Sequence, residues 1–232
     1  MSVWVQTDVE CHACGHVFQE RTVDGLNLTR NPDIRIAVLE GRLNVFACPA
    51  CRATVMVERT FLYTDLERGH FILVRPMSAL PWYARIERDI EDLYHFYVEN
   101  EPTGRLFSAE QLAAFKVRAV VGYPWLQEKL RLFDADLDDR VVEAMKVAIL
   151  RDRPELKGYM QLLVDDVRQD ELRFIATLEK GRRPLTFGVD RALYELTEDR
   201  RDALAEDLPE LFEHAFVDLR RYIVRPAEQG AA

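Results

Sequence analysis

The chain has 232 residues, 48% apolar and 31% charged, with net charge −9 and a sequence pI near 5.2. That balance is the one expected of a soluble globular protein with one large or two small domains, and no apolar run approaches the roughly 20 residues that cross a bilayer. Residues 1–76 hold 8 Arg and no Lys against 9 acids, and the remainder carries −8, which argues against nucleic acid, whose binding depends on Lys and Arg neutralising phosphates. The one basic grouping that runs against this is Arg21, Arg30, Arg35, Arg42 and Arg52.

Taken in order, Val3, Val5, Thr7 and Val9 alternate along a predicted strand that feeds Cys11-His12-Ala13-Cys14. Gly15 follows where a cysteine knuckle commonly needs a backbone without Cβ, and Val17 to Thr22 returns as the second strand of a hairpin. Asn31-Pro32-Asp33 opens a short helix, with Asn31 as cap, Pro32 at the first position and Asp33 at the positive end of the dipole. Ile34, Val38 and Leu39 mark its inner face, and Gly41 ends it. Leu43 to Ala47 leads as a strand into Cys48-Pro49-Ala50-Cys51, Ala53 to Leu62 leaves as another, and Phe71 to Val74 follows before Pro76.

The chain contains four cysteines, and all lie in these two Cys-x-x-Cys units, 33 residues apart. Each unit aims two thiolates at one centre, so together they can close an all-sulfur tetrahedral cage, the donor set and geometry that suit Zn²⁺. Nothing at the N-terminus resembles a signal peptide, so a reducing cytoplasm is expected and lasting disulfides are not. A thioredoxin-like motif needs one such unit on a strand-to-helix turn rather than two matched copies. The expected site is one structural zinc per chain held by Cys11, Cys14, Cys48 and Cys51.

Cys11-x-x-Cys14, Asn31-Pro32-Asp33, Gly41-x-Leu43-Asn44, Cys48-Pro49-x-Cys51 and Tyr63-x-Asp65 occur in this order and resemble the bacterial CpXC domain family. The family takes its name from the Cys-Pro-x-Cys unit, here Cys48 to Cys51. The likeness is clear over residues 9 to about 76 and weaker around Leu130-Arg131-Leu132-Phe133 and Asp138-Asp139-Arg140. It implies a zinc-ribbon-like cysteine site and assigns no biochemical role. His12 stands where a second proline is expected, which leaves the ligands unchanged.

Beyond Pro76 the composition shifts. Tyr83, Ile86, Ile90, Leu93, Tyr94 and Tyr97 recur at helical period through Trp82 to Val98, and Asn100 to Gly104 breaks the run. Ser108 and Gln111 form a capping box for a short helix. Phe115 to Val121 is a predicted strand, Gly122-Tyr123-Pro124 a turn, and Trp125 to Phe133 a helix. Asp138 to Arg151 is a further helix stopped by Pro154. Leu162 to Val167, Leu172 to Leu178 and Leu185 to Val189 are predicted strands, the last two joined through Gly181. Helices are expected at Glu198 to Leu208 and Glu210 to Ile223, and a disordered tail at 226–232. The expected fold is α+β: a four-cysteine ribbon of antiparallel hairpins with a short inserted helix over residues 1–76, and a mixed helix and strand body over 77–225.

Catalytic signatures are absent. Gly-x-Ser-x-Gly, His-Glu-x-x-His and a Walker Gly-Lys-Ser/Thr do not occur, and serine is limited to Ser2, Ser78 and Ser108. Of the histidines, His12 and His16 flank a hook already supplied with four thiols, His70 falls in a turn, and His95, among Tyr94, Phe96 and Tyr97, is expected to pack rather than react. His214 has no nucleophile beside it in sequence. Asp138/Asp139 and Asp165/Asp166 are expected at solvated edges rather than in a hard-metal cage. Trp82, beside Pro81, is expected to be partly exposed, as an interface residue would be. The resulting expectation is a zinc-dependent interaction or scaffold protein whose partner is another protein or a second copy of the chain. The alternatives are an enzyme with its site in the 77–225 body and a thiol redox sensor.

Overall fold

The computed structural model describes residues 2–99, 107–153, 156, 161–177 and 183–227. They fall into two compact units, one formed by residues up to Tyr123 together with the segment from Pro226, the other by Pro124–Arg225. The sequence-based division at residue 76 comes between two strands of the first unit, because the strand that follows it pairs back into the same sheet.

In the first unit, β1 (Val3–Glu10) and β2 (Val17–Asn27) form an antiparallel hairpin whose loop carries the first cysteine hook. α1 (Asp33–Leu39) follows, then a second, smaller hairpin of β3 (Val45–Ala47) and β4 (Thr54–Met56) whose loop carries the second hook. β5 (Phe61–Asp65) joins β2 in parallel and β6 (His70–Arg75) antiparallel, and β6 takes β7 (Lys116–Val121) in parallel. The sheet order is therefore β1-β2-β5-β6-β7. Between β6 and β7 lie a 3₁₀ turn, α2 (Tyr83–Tyr94), a π-turn at His95–Glu99 and α3 (Ala109–Ala113). The α2 face formed by Tyr83, Ile86, Ile90 and Tyr94 is buried, and the helix packs on β6 and β7, as its 3.6-residue period requires. Ser108 and Gln111 complete the expected capping box of α3.

Several local expectations are corrected. Asn31 does not cap α1: its amide donates to the Ser2 hydroxyl and the Asn27 carbonyl, fastening the start of β1 to the end of β2. Gly41 does end the helix, at φ 69°. Its N–H donates to the Val38 carbonyl and that of Arg42 to the Ala37 carbonyl, a Schellman pairing. The predicted strand Ala53–Leu62 is two strands, because the Tyr123 hydroxyl ties down the backbone between them, donating to the Val57 carbonyl and accepting from the Arg59 N–H. His70 is not in a turn; it opens β6 opposite Asp65 and is buried. His95 is exposed, as are Phe96 and Tyr97, so the aromatic run is packed only in part. Trp82 is 46% exposed, as expected.

Asn44, part of the family-like Gly41-x-Leu43-Asn44 segment, holds this unit together. Its backbone is left-handed (φ 52°) and the residue is buried. The side-chain oxygen accepts from the Val23 N–H at 3.0 Å, and the amide donates to the Tyr123 hydroxyl at 2.9 Å. Asn44→Ala strands the Val23 N–H and part of the Tyr123 hydrogen bonding in the interior, so it is expected to cost about 2–3 kcal/mol. Urea titration followed by far-ultraviolet circular dichroism checks this, and a loss below about 0.5 kcal/mol, the range of an ordinary surface change, would contradict it.

The second unit begins within α4 (Tyr123–Asp134), which is followed by α5 (Asp139–Asp152) and a three-stranded antiparallel sheet of order β10-β9-β8. The strands are β8 (Gln161–Val167), β9 (Glu171–Thr177) and β10 (Leu185–Asp190). Val141, Val142 and Met145 of α5 pack with Leu162, Val164, Leu172 and Phe174 of the sheet to form its core. Asp138 caps α5 by accepting from the Arg140 N–H. Pro154, Leu178 and Gly181, invoked for the ends of these elements, lie outside the described residues, as do residues 228–232 of the tail. Ala227 donates its N–H to the Pro81 carbonyl, so the tail's first residues are tied down.

The C-terminal helices also differ from expectation. α6 (Arg191–Glu198), unpredicted, starts directly from β10 with Asp190 as its cap. α7 (Arg201–Asp207) follows, and the expected helix 210–223 is divided into α8 (Pro209–Glu213), an extended stretch and a 3₁₀ turn at Leu219–Tyr222. Asp218 makes the break by accepting from the Arg220 N–H and pairing with its guanidinium, while the Leu219 N–H goes to Glu143.

Candidate metal centre

The two hooks are built alike. In the first, the Cys11 N–H donates to the His16 carbonyl (2.9 Å) and the Gly15 N–H to the Cys11 carbonyl (2.8 Å). In the second, the Cys48 N–H donates to the Ala53 carbonyl (2.9 Å) and the Arg52 N–H to the Cys48 carbonyl (2.9 Å). Each turn needs a left-handed residue just after its second cysteine: Gly15 at φ 71° and Arg52 at φ 64°. A Cβ on Gly15 would meet nothing within 4 Å, so Gly15→Ala isolates the backbone cost. Stability of the protein as purified is expected to fall by about 1–2 kcal/mol, the left-handed penalty for an L-residue. The same substitution leaving stability unchanged in urea would show that this turn is not under conformational constraint.

The folded hairpins bring Cys11, Cys14, Cys48 and Cys51 together, with all four Sγ atoms within 4.8 Å of one another. Across the hooks, Cys11 Sγ lies 3.6 Å from Cys51 Sγ and Cys14 Sγ 3.8 Å from Cys48 Sγ. Sulfurs of a tetrahedral cage with Zn–S of about 2.3 Å are about 3.8 Å apart, so the geometry fits such an ion and is too wide for a disulfide; all four cysteines are free. Cys11 and Cys48, the first of each hook, are buried, and Cys14 and Cys51 are exposed. Val9 and Val55 pack beside the buried pair, with Phe18, Ala53 and Val57 around them, an apolar wall that limits water at the sulfurs.

The electrostatics show what the cage lacks without a cation. At Cys14 the His16 N–H favours the thiolate, but the neighbouring sulfurs of Cys51, Cys11 and Cys48, with burial, outweigh it and push the thiol up to about 12. At Cys48 burial opposes ionisation, yet the Cys51 and Ala50 N–H groups, reinforced by neighbouring thiols, prevail and bring it down to about 7. Four thiols in one site resist common ionisation, and a divalent cation removes that resistance.

The other candidates stay outside this centre. His12 and His16 are exposed beside the first hook, and His16 stacks on Phe18 with centroids 6.2 Å apart. Arg42 pairs with Glu40, and Arg35 is half-buried, so the arginine grouping is not a uniform exposed patch. Within Tyr63-x-Asp65, Asp65 is fully buried and paired with Arg68 at 2.9 Å, and burial pushes the Tyr63 phenol up to about 12. Asp165 and Asp166 pair with Arg173 and Arg168. Asp139 is the correction among the acidic pairs. It is buried rather than solvated, and it belongs to a charge network that the sequence reading missed. Lys146 Nζ lies 2.8 Å from Glu128 and 2.8 Å from Glu143, and Lys129 Nζ lies 3.0 Å from Asp139 and 3.2 Å from Glu143. Glu128 also accepts from the Val164 N–H, and Arg220, paired with Asp218, sits 3.6 Å over the Trp125 ring. The sequence signal available was an i, i+3 spacing of Glu143 and Lys146 on the same side of α5 as apolar residues.

Two hairpin knuckles that bring four cysteine sulfurs within 4.8 Å of one another define a ribbon with a site suited to a metal ion. One family's sequence model, described as CpXC protein, matches residues 9–146. The chain belongs to the CpXC family. No curated protein and no solved structure matches it. The matched span runs past the hairpins and into α5, so it includes the weaker resemblance around Leu130 and Asp138.

Proposed function

We propose that the four cysteines hold one structural Zn²⁺ per chain and that the protein works as a protein-interaction or scaffold module in a reducing, cytoplasmic setting. The observation that carries the metal assignment is the spacing of the four sulfurs, which leaves no coordination position for water or substrate once an ion is bound. Bound there, zinc supplies folding free energy and no reaction step; Cys11 and Cys48 bind it from the buried side, and the two knuckles orient the thiolates. The interaction role is supported by apolar side chains exposed on the hairpins, Trp4 at 36%, Val17 at 57% and Met56 at 52%. Among the described residues no helix is long and apolar enough to cross a membrane.

Elemental analysis of protein purified without added metal, paired with a thiol count, tests the reading. One zinc per chain, with four thiols protected until a chelator is added, is the expected result. Metal-free protein with freely reactive or reversibly oxidised thiols would replace it with a thiol redox reading. For the interaction role, sedimentation velocity with and without Trp4→Ser and Met56→Ser should show association that the substitutions weaken. A chain that stays monomeric at high concentration leaves another protein as the partner and excludes a second copy.

A further inference from the structure

The second unit contains a groove of about 650 Å³ between α5, β10 and α6. Two small residues of α5, the buried Ala144 and the half-buried Ala148, leave its floor open, and Ile149, Phe187 and Leu193 line it apolarly. The volume and the apolar lining are those of sites that enclose small molecules. Leu196 on its rim is 62% exposed and Leu193 46%, so α6 turns two leucines three positions apart to the outside, where no described residue covers them.

The charges at this groove run against those of the chain. Among the described residues Arg151, Arg153 and Arg200 line it with one acid, Asp152, in a protein of net charge −9. Arg151 is engaged by Asp152 at 3.1 Å. The Arg153 guanidinium lies 4.8 Å over the Phe187 ring and makes no hydrogen bond or ion pair among the described residues. The aromatic face removes water from one side of the cation and leaves its N–H edge available, the arrangement in which a guanidinium takes a planar carboxylate through two hydrogen bonds. Arg200 comes from the start of α7, whereas Arg153 follows the end of α5. From Ala144 to Arg153 the helix axis runs about 13 Å, so the apolar lining extends well beyond the reach of a head group alone.

We propose that this groove binds a linear apolar molecule ending in a carboxylate, a medium-chain fatty acid in its chemistry, with the head group on Arg153 and the chain along Ile149 and Leu193 towards Ala144. Phe187 positions the guanidinium, and Arg153 is the groove cation that the described residues place over an aromatic ring. The proposal is independent of the metal centre, since no cysteine or hairpin residue takes part.

Calorimetric titration of the full zinc-loaded chain with decanoate, 1-decanol and decylammonium, each below its aggregation threshold, tests it. Decanoate is expected to bind at one per chain and about tenfold or more tighter than decanol, the difference a charged hydrogen-bonded pair makes, with decylammonium weakest. Arg153→Leu, which keeps an apolar cover on Phe187, should lower decanoate affinity to that of decanol and leave decanol unchanged. Arg200→Leu should change decanoate binding less than about twofold, because its exposed guanidinium has no aromatic ring beneath it among the described residues and an exposed charge by itself contributes little. Ala148→Trp, which fills the floor, should abolish binding of both in a protein whose circular dichroism matches wild type. Equal affinity for acid and alcohol would overturn the proposal, as would decanoate binding that survives Ala148→Trp or that follows Arg200 instead of Arg153. A groove that binds no decanoate, in a dimer that Leu196→Arg separates, would overturn it in favour of a second copy as occupant.

Discussion

Cys48→Ser is expected to unfold the hairpins while leaving the second unit folded. Cys48 is fully buried, Val9 and Val55 pack beside it, and its sulfur is 3.8 Å from that of Cys14. Serine offers a harder and far less acidic oxygen that does not replace a thiolate on zinc. Structural zinc sites contribute apparent binding free energies of about 10–16 kcal/mol to folding near neutral pH, so losing a large part of that exceeds the stability a small unit has in reserve. The effect can be located because two of the three tryptophans, Trp4 and Trp82, lie in the first unit and Trp125 in the second. Hydrogen exchange should rise across β1–β4 and remain slow through α5 and β9, and zinc content should fall to background. Unchanged exchange in the hairpins, with zinc retained, would show that the four thiols do not act as a metal cage.

Lys146→Met is the second large effect, and it falls on the second unit. Lys146 is fully buried between the Glu128 and Glu143 carboxylates, both also buried. Desolvation alone would drive its proton off; Glu128 and Glu143 outweigh it and hold the ammonium above the usual lysine range. Methionine keeps the length but removes the cation, leaving Glu128 with the Val164 N–H and Glu143 with Lys129 and the Leu219 N–H. Breaking one side of a buried pair costs about 3–5 kcal/mol, about 10 °C in unfolding temperature for a chain of this size. Trp125, stacked under Arg220 in the same network, reports the change when Trp4 and Trp82 are replaced by Phe. Adding Glu128→Leu to Lys146→Met should recover part of the loss, because the uncompensated carboxylate goes with its partner. A single-variant loss below about 1 kcal/mol, as at a surface pair, would mean that water or another cation reaches the site.

The four-cysteine cluster was legible because its information is local. A Cys-x-x-Cys turn sets its own geometry within a few residues, and the alternation of Val3 to Val9 with Gly15 behind the hook leaves little choice but a hairpin. The same holds for the capping box at Ser108 and the Schellman end of α1 at Gly41. Where long-range hydrogen bonds compete with local preference, the local reading failed. Asn31 has the chemistry of a helix cap and spends its amide on Ser2 and Asn27 instead. The run from Ala53 to Leu62 has strand propensity throughout, but Tyr123, more than sixty residues later, claims the Val57 carbonyl and the Arg59 N–H. At the C-terminus the apolar period of 210–223 is helical, and Asp218 with Glu143 redirects the backbone in its middle.

By itself the sequence determined the four clustered cysteines, the two hairpins that present them, the membership in the CpXC family and most of the helices and strands, since each depends on contacts a few residues apart. Only the tertiary structure decided that β7 returns to the ribbon's sheet, that Asp139 is buried against Lys129 rather than solvated, and that Arg153 lies over Phe187 beside an open groove. Those outcomes depend on pairings between residues about 10 to 46 positions apart, and the desolvation that makes a charge buried or available is set by what the fold places next to it, not by its neighbours in the chain.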